Sequence, residues 1–220
     1  MIIDLHTHTK PWSEDSDLQP AELIHQAKQA GLDGICLTEH DWFWDKDALA
    51  KLSQEHDFLI LPGVEMNTEE GHVLVFGLEE YSFGMHRIEN LKRIVDEAGG
   101  VMILAHPYRR QFYPDDDIQN TVEQYCQRPF FRLLDTIEAL NGRASAKQTS
   151  FSQELCRRLN LKGIGGSDAH SVSDIPSCAT FFDRKISNVE ELITELKAGR
   201  FRAVDARAIL KGEQWPKNKK

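Results

Sequence analysis

Short apolar runs alternate with amphipathic stretches along this chain. Ile2, Ile3 and Leu5 mark a buried strand that ends in His6 and His8. Further buried strands are predicted at 34–38, 58–61, 72–77, 101–105, 136–140, 163–166 and 178–182. Between them the spacing turns helical. Leu23, Ile24, Ala27 and Ala30 form one face of a helix over 18–30, with Pro20 in its first turn and Gly31 as its stop. Ala48, Leu49 and Leu52 mark a second helix. Ile88, Leu91, Ile94, Val95 and Ala98 mark a third, stopped by Gly99 and Gly100, and Phe151, Leu155 and Leu159 a later one. Ser187 and Glu190 have capping-box spacing ahead of a helix over 189–197.

Strand followed by helix, repeated about seven times without a break in composition, is the pattern of βα units. It predicts a closed or nearly closed α/β barrel in a single domain over 1–220; an open doubly wound sheet is the competing architecture. The stretch 111–134 is the one long interruption. It holds Asp115, Asp116 and Asp117, a helical segment near Val122, and Phe130 with Phe131. It reads as a loop and helix insertion, either beside the active-site mouth or padding the outside.

Composition narrows the setting. The chain has 220 residues, 28% of them charged, and a formal net charge of −9. That balance disfavours a broad grip on duplex nucleic acid. A basic tail at 217–220 reads as a solvated end. The N-terminus enters a strand without a basic run, so no signal peptide is expected, and no apolar stretch has membrane-spanning length. Cys36, Cys126, Cys156 and Cys178 lie far apart with no CxxC pair, which predicts free thiols and a cytoplasmic protein.

The histidines change the picture most. His6, His8, His40, His106 and His170 each follow an apolar strand, with Glu65, Glu138 and Asp168 in company. Residues i and i+2 of a strand share a face, so Asp4, His6 and His8 project together, with Asp4 placed to orient a ring. His25, His56 and His86 lie elsewhere, and His72 opens a strand instead of closing one, which reads as structural or supporting. Strand C-terminal ends are where barrels build their sites. Imidazole and carboxylate without thiolate suit zinc, manganese or iron. The candidates outnumber the needs of one ion, so a cluster of two or three divalent transition-metal ions is expected, with Glu65 able to bridge two of them.

The motifs DLHTHT, TEHD, GVE, AHPYR, IEALNGR and GSDAH, in this order, resemble the polymerase and histidinol phosphatase (PHP) superfamily of metal-dependent phosphoesterases. The resemblance runs from Asp4 to His170 and beyond. It implies a distorted, TIM-like, seven-stranded (βα) barrel and typically three ions. Carried over by motif, one ion takes His6, His8, Glu65 and Asp168. A second shares Glu65 and takes His106, with Glu138 standing where several relatives have a histidine. A third takes His40, His170 and an acidic or histidine residue of the loop after His8: Asp15 by position, with Glu14 and Asp17 as rivals. Arg109 and Arg143 would clamp a phosphate, since a guanidinium fork matches its geometry.

These readings converge on hydrolysis of a phosphate ester by a metal-activated hydroxide. Asp168, Arg109 and Arg143 are the catalytic candidates, and Arg109 and Arg143 the substrate-binding ones. The expected partner is a small phosphorylated molecule or a nucleic-acid end. Two other classes stay open: a metal-dependent hydrolase acting on an amide or a base, and a non-catalytic module. Trp12, Trp42 and Trp44 fall in loops near ligand candidates, where they would line a pocket or pack the loops. Asp41 would orient a ligand or cap the next helix.

Overall fold

A computed structural model describes residues 1–207. The basic tail at 217–220 lies outside the described residues. The strands are β1 (Ile2–Thr7), β2 (Gly34–Leu37), β3 (Leu59–Pro62), β4 (Val64–Thr68), β5 (Gly71–Phe76), β6 (Val101–Leu104), β7 (Thr136–Asn141), β8 (Ile164–Gly166), β9 (Cys178–Phe182) and β10 (Phe201–Asp205). The helices are α1 (Pro20–Gln29), α2 (Lys46–His56), α3 (Ile88–Glu97), α4 (Ile118–Tyr125), α5 (Ala146–Leu159) and α6 (Val189–Lys197).

The mixed α/β character is as expected, but the described residues form no closed seven-stranded barrel. The strands form two five-stranded sheets, ordered β10-β9-β1-β2-β3 and β4-β5-β6-β7-β8. The sheets do not close on each other; isolated bridges Thr7↔Ala169 and His40↔Glu65 link them. Parallel pairing holds for β1-β2-β3 and β6-β7-β8, while β5 runs antiparallel to β4 and β6, and β9 to β1 and β10. The extra strands escape a hydrophobicity reading for a physical reason. β4 (VEMNT) and β10 (FRAVD) carry polar or charged residues and are not apolar runs.

Local signals set the helix ends. Pro20 opens α1, where a missing N–H costs nothing, and Gly31 beyond its end has φ +70°. Asp45, the N-cap of α2, accepts the N–H of Ala48. Asp41 does not cap that helix: it accepts the N–H of Asn67, tying the loop after β2 to β4. Ser145 and Gln148 make a full capping box on α5, which ends at Asn160 in the left-handed region. The stretch 111–134 packs into the core beside the second sheet, and its Tyr125 also lines a cavity next to His72 and His106. Phe112 stacks on Phe151 with ring centroids 4.7 Å apart, and Val122, Tyr125, Phe130 and Phe131 are buried in the same core.

Candidate metal centre

β1 delivers His6 and His8, both fully buried, with ring centroids 5.0 Å apart. His8 stacks on His40 at 4.2 Å and lies 4.3 Å from His170. Glu65 on β4 is the hub. Its Oε1 is 2.8 Å from His106 Nε2, 3.0 Å from His72 Nδ1 and 3.4 Å from His6 Nε2; its Oε2 is 2.8 Å from His40 Nδ1 and 3.3 Å from His8 Nε2. Asp168 turns Oδ1 to within 3.6 Å of both His6 Nε2 and His8 Nε2, and 3.5 Å of His170 Nδ1. His106 and Asp168 hold φ of +25° and +54°, conformations that L residues adopt at a cost and that gather at functional sites.

The loop after β1 supplies Asp15, whose oxygens lie 3.4 Å from His40 Nε2 and 3.2 Å from His170 Nε2. Its rivals face elsewhere. Asp17 pairs with Lys10 at 2.6 Å, and no contact ties Glu14 to these histidines. Trp12 of this loop stacks on Trp42 of the loop after β2, with centroids 4.1 Å apart and planes 6° apart.

Two placements depart from the expectations. Glu138 does not join the converging ligand atoms. Its Oε1 lies 3.1 Å from His6 Nδ1, behind that ring, and its Oε2 accepts the backbone N–H of His106 and the amide of Asn141. His72, read as supporting, stands with His40 and Glu65 in one ligand group. The cause is strand direction. Because β5 is antiparallel, its first residues lie at the edge where the parallel strands end. The short Thr68–Gly71 turn between β4 and β5 was the signal available in the sequence. Asp4 orients no histidine ring either; it accepts the backbone N–H groups of Ser167 and His6, fastening β1 to the end of β8.

The donor set suits metal. Two ligand atoms about 2.1 Å from one ion are about 3.0 to 3.4 Å apart at octahedral or tetrahedral angles, close to the separations around Glu65. His6 Nε2, His8 Nε2 and Asp168 Oδ1 are buried without a hydrogen-bond partner. Buried polar atoms left so are costly, and three aimed at one another mark a place for a cation. The electrostatics agree. Burial opposes charge on His6, yet Glu65, Glu138 and Asp168 hold its pKa well above the ordinary histidine value. Burial, reinforced by the neighbouring histidines, holds His8 well below it. Burial would raise both Glu65 and Asp168, but His6 and its neighbours keep each carboxyl below its ordinary range.

At the rim, Arg109 Nη2 donates to Asp168 Oδ2 at 2.6 Å, and Nη1 lies 3.1 Å from His106 Nε2. Arg143 is exposed, and its backbone N–H donates to Asn141 Oδ1. A cavity of about 280 Å³ opens beside His72, His106 and Arg109 and reaches Glu70, Arg110 and Tyr125. A larger one, about 380 Å³, lies by α6 and the start of α2 and contains none of these ligands.

The model of the PHP-associated family matches residues 150–201. An uncharacterized protein of Methanocaldococcus jannaschii, MJ1587, is 30% identical over 118 residues, which cover 49% of this chain and 68% of that protein. A two-domain protein from Bacteroides vulgatus containing a predicted PHP-like metal-dependent phosphoesterase superposes with a TM-score of 0.66 at 22% identity, over 93% of this chain. This chain spans 64% of that one, less than two thirds of its length. An amidohydrolase from Chromobacterium violaceum, with bound sulfate and no metal, superposes with a TM-score of 0.63 at 18% identity, over 93% of this chain and 98% of that one. The chain belongs to the PHP superfamily. No helix among the described residues is long and apolar enough to cross a membrane.

Proposed function

We propose that this protein is a metal-dependent phosphoesterase acting on a small phosphate ester or a nucleic-acid end, in one domain. The observation that carries this reading is the anchored guanidinium of Arg109, held by Asp168 beside the ligand cluster. A fixed fork of donors there suits an oxyanion that carries more charge in the transition state than in the substrate.

His6, His8, Glu65 and Asp168 would hold one ion. Glu65 and His106 would hold a second, with His72 beside Glu65, and His40, His170 and Asp15 a third, zinc, manganese or iron suiting such donors. Such ions supply Lewis-acid charge and acidify a water at neutral pH. The chain's own groups do the rest. Asp168 bridges the ligand cluster and Arg109, so it positions both. Arg109 and Arg143 orient the phosphate. The cavity beside His106 receives the group attached to it. Four unbonded cysteines favour a cytoplasmic setting.

The test is a panel of phosphomonoesters, nucleotides and short oligonucleotides given to purified protein, with elemental analysis alongside. Turnover that is lost on chelation and regained with metal is expected. Inertness toward every phosphoester, with turnover of an amide or a nucleobase, would move the reading to the other hydrolase class.

A further inference from the structure

We propose that Ser13 and Glu39 are positioning residues that fix the tautomer of His8, keeping the proton on Nδ1 so that Nε2 offers its lone pair to the centre. The proposal rests on the reading of His8 as a metal ligand.

The argument is a count of hydrogens. Glu39, in the loop after β2, is fully buried and has no cationic partner among the described residues. Four donors surround it instead. Oε2 accepts from the Thr9 backbone N–H at 2.8 Å and from Ser13 Oγ at 2.5 Å; Oε1 accepts from Thr9 Oγ1 at 2.5 Å and from Trp44 Nε1 at 3.1 Å. The Thr9 amide and the Trp44 indole can only donate, so each carboxylate oxygen has an obligate donor.

Ser13 has one hydroxyl hydrogen. Turned away from Glu39, it would leave two oxygen lone pairs facing each other at 2.5 Å. With Glu39 as a carboxylate, the hydrogen goes to its Oε2, and Ser13 Oγ is left as an acceptor. Its two neighbours on that side are the His40 backbone N–H at 3.4 Å, which can only donate, and His8 Nδ1 at 3.2 Å. His8 must then be the donor at Nδ1. A neutral imidazole carries one N–H, so Nε2 is bare. That nitrogen is the buried, unpartnered atom aimed at Glu65 and Asp168. The loop that bears Asp15 and the loop that bears His40 thus meet at a carboxylate whose effect is felt on His8, one hydroxyl away. Outer partners of this kind are known to set ring orientation and ligand basicity.

The test uses the full chain, metal-free, with ¹⁵N-labelled histidine and long-range ¹H–¹⁵N correlation spectra, His8 being assigned from the signals lost in His8→Gln. Wild type should show His8 protonated on Nδ1. Ser13→Ala should abolish that bias. Glu39→Ala should reverse it, because the freed serine hydrogen can turn to Nδ1. The double variant Glu39→Gln/Trp44→Phe should keep the wild-type tautomer. With the indole donor gone, the amide nitrogen takes the Oε1 place, and the amide oxygen still receives Ser13 and Thr9.

Zinc affinity by chelator competition is the second readout. Ser13→Ala and Glu39→Ala should weaken binding by about 10- to 100-fold, and the double variant should bind as Trp44→Phe does. His8 protonated on Nε2 in wild type, or an unchanged tautomer in folded Ser13→Ala and Glu39→Ala, would overturn the proposal. Because the spectra are taken without metal, failure of the phosphoesterase reading would leave them unchanged and is told apart by the substrate panel.

Discussion

Glu138 Oε1 lies 3.1 Å from Nδ1 of His6, on the far side of the ring from Glu65. Its other oxygen holds the backbone N–H of His106, so one buried carboxylate fixes two ligand candidates. On the proposed reading this geometry would make Glu138 a support and put His72 among the ligands beside Glu65. The two roles predict different losses. Glu138→Gln should keep the number of ions bound and weaken their affinity by roughly 10- to 100-fold. His72→Ala should bind one ion fewer. Metal content and chelator competition on both variants decide the matter, and loss of an ion in Glu138→Gln with full content in His72→Ala would reverse the assignment.

Gly166 lets β8 approach this pair. A Cβ built there would stand 2.5 Å from His6 Cβ and 2.7 Å from Glu138 Oε1. Neither neighbour can retreat cheaply, since one is a backbone-attached atom of β1 and the other is held by His6. Gly166→Ala should therefore cost about 1 to 3 kcal/mol of stability and lower metal content as well. Chemical denaturation of the metal-free protein, followed by metal analysis, checks both; unchanged stability would mean that β8 shifts freely.

Much of this cluster is legible in the sequence because its members stand directly after apolar runs. His6, His8, His40, His106 and His170 stand out that way and converge in the structure, and Asp15, singled out by the family resemblance, lies beside His40 and His170. What escaped depended on direction and on three-dimensional hydrogen bonding. His72 opens its strand, and only the antiparallel direction of β5 brings its ring within 3.0 Å of Glu65. The place of Glu138 on the sixth strand suggests a ligand, yet whether a carboxylate faces the histidine cluster or the back of one ring depends on which neighbour captures it. Glu39 lies beside His40 in sequence but acts on His8, through a serine 26 residues earlier. No hydrophobic pattern encodes such a contact. The strands β4 and β10 were missed for their charged residues, and with them the division into two sheets.

Asp4 carries a pH signature. Burial pushes its carboxyl up to about 7 from an ordinary value of 3.8, although Ser167 and His6 pull the other way. Between those two values the folded state keeps a proton that the unfolded state has released. The contribution of Asp4 to stability therefore falls as pH rises through this window and levels off above it. Asp4→Asn removes that slope. Its stability relative to wild type should climb from about pH 4 to about pH 7 and then stay constant. Urea unfolding of the metal-free proteins across this range measures the difference, and a difference that does not change with pH would show that Asp4 ionises alike in both states.

The arginines separate phosphate chemistry from other hydrolysis, and the structure distinguishes between them. Arg109 is anchored, with Nη2 on Asp168 at 2.6 Å, whereas Arg143 is exposed. An anchored fork loses little freedom on meeting a phosphate, so it can act on the transition state. An exposed one must be ordered by the substrate and acts first on binding. Arg109→Ala should slow phosphoester turnover by roughly 100-fold, mostly in kcat. Arg143→Ala should act mostly on KM. Metal content should hold in both. Lys at position 109 should rescue only in part, since it restores charge without the two-pronged donor. Steady-state kinetics of wild type and the three variants, with metal analysis of each, give the answer. Wild-type rates in both Ala variants would remove the phosphate clamp and point to a substrate without an anionic group at this rim.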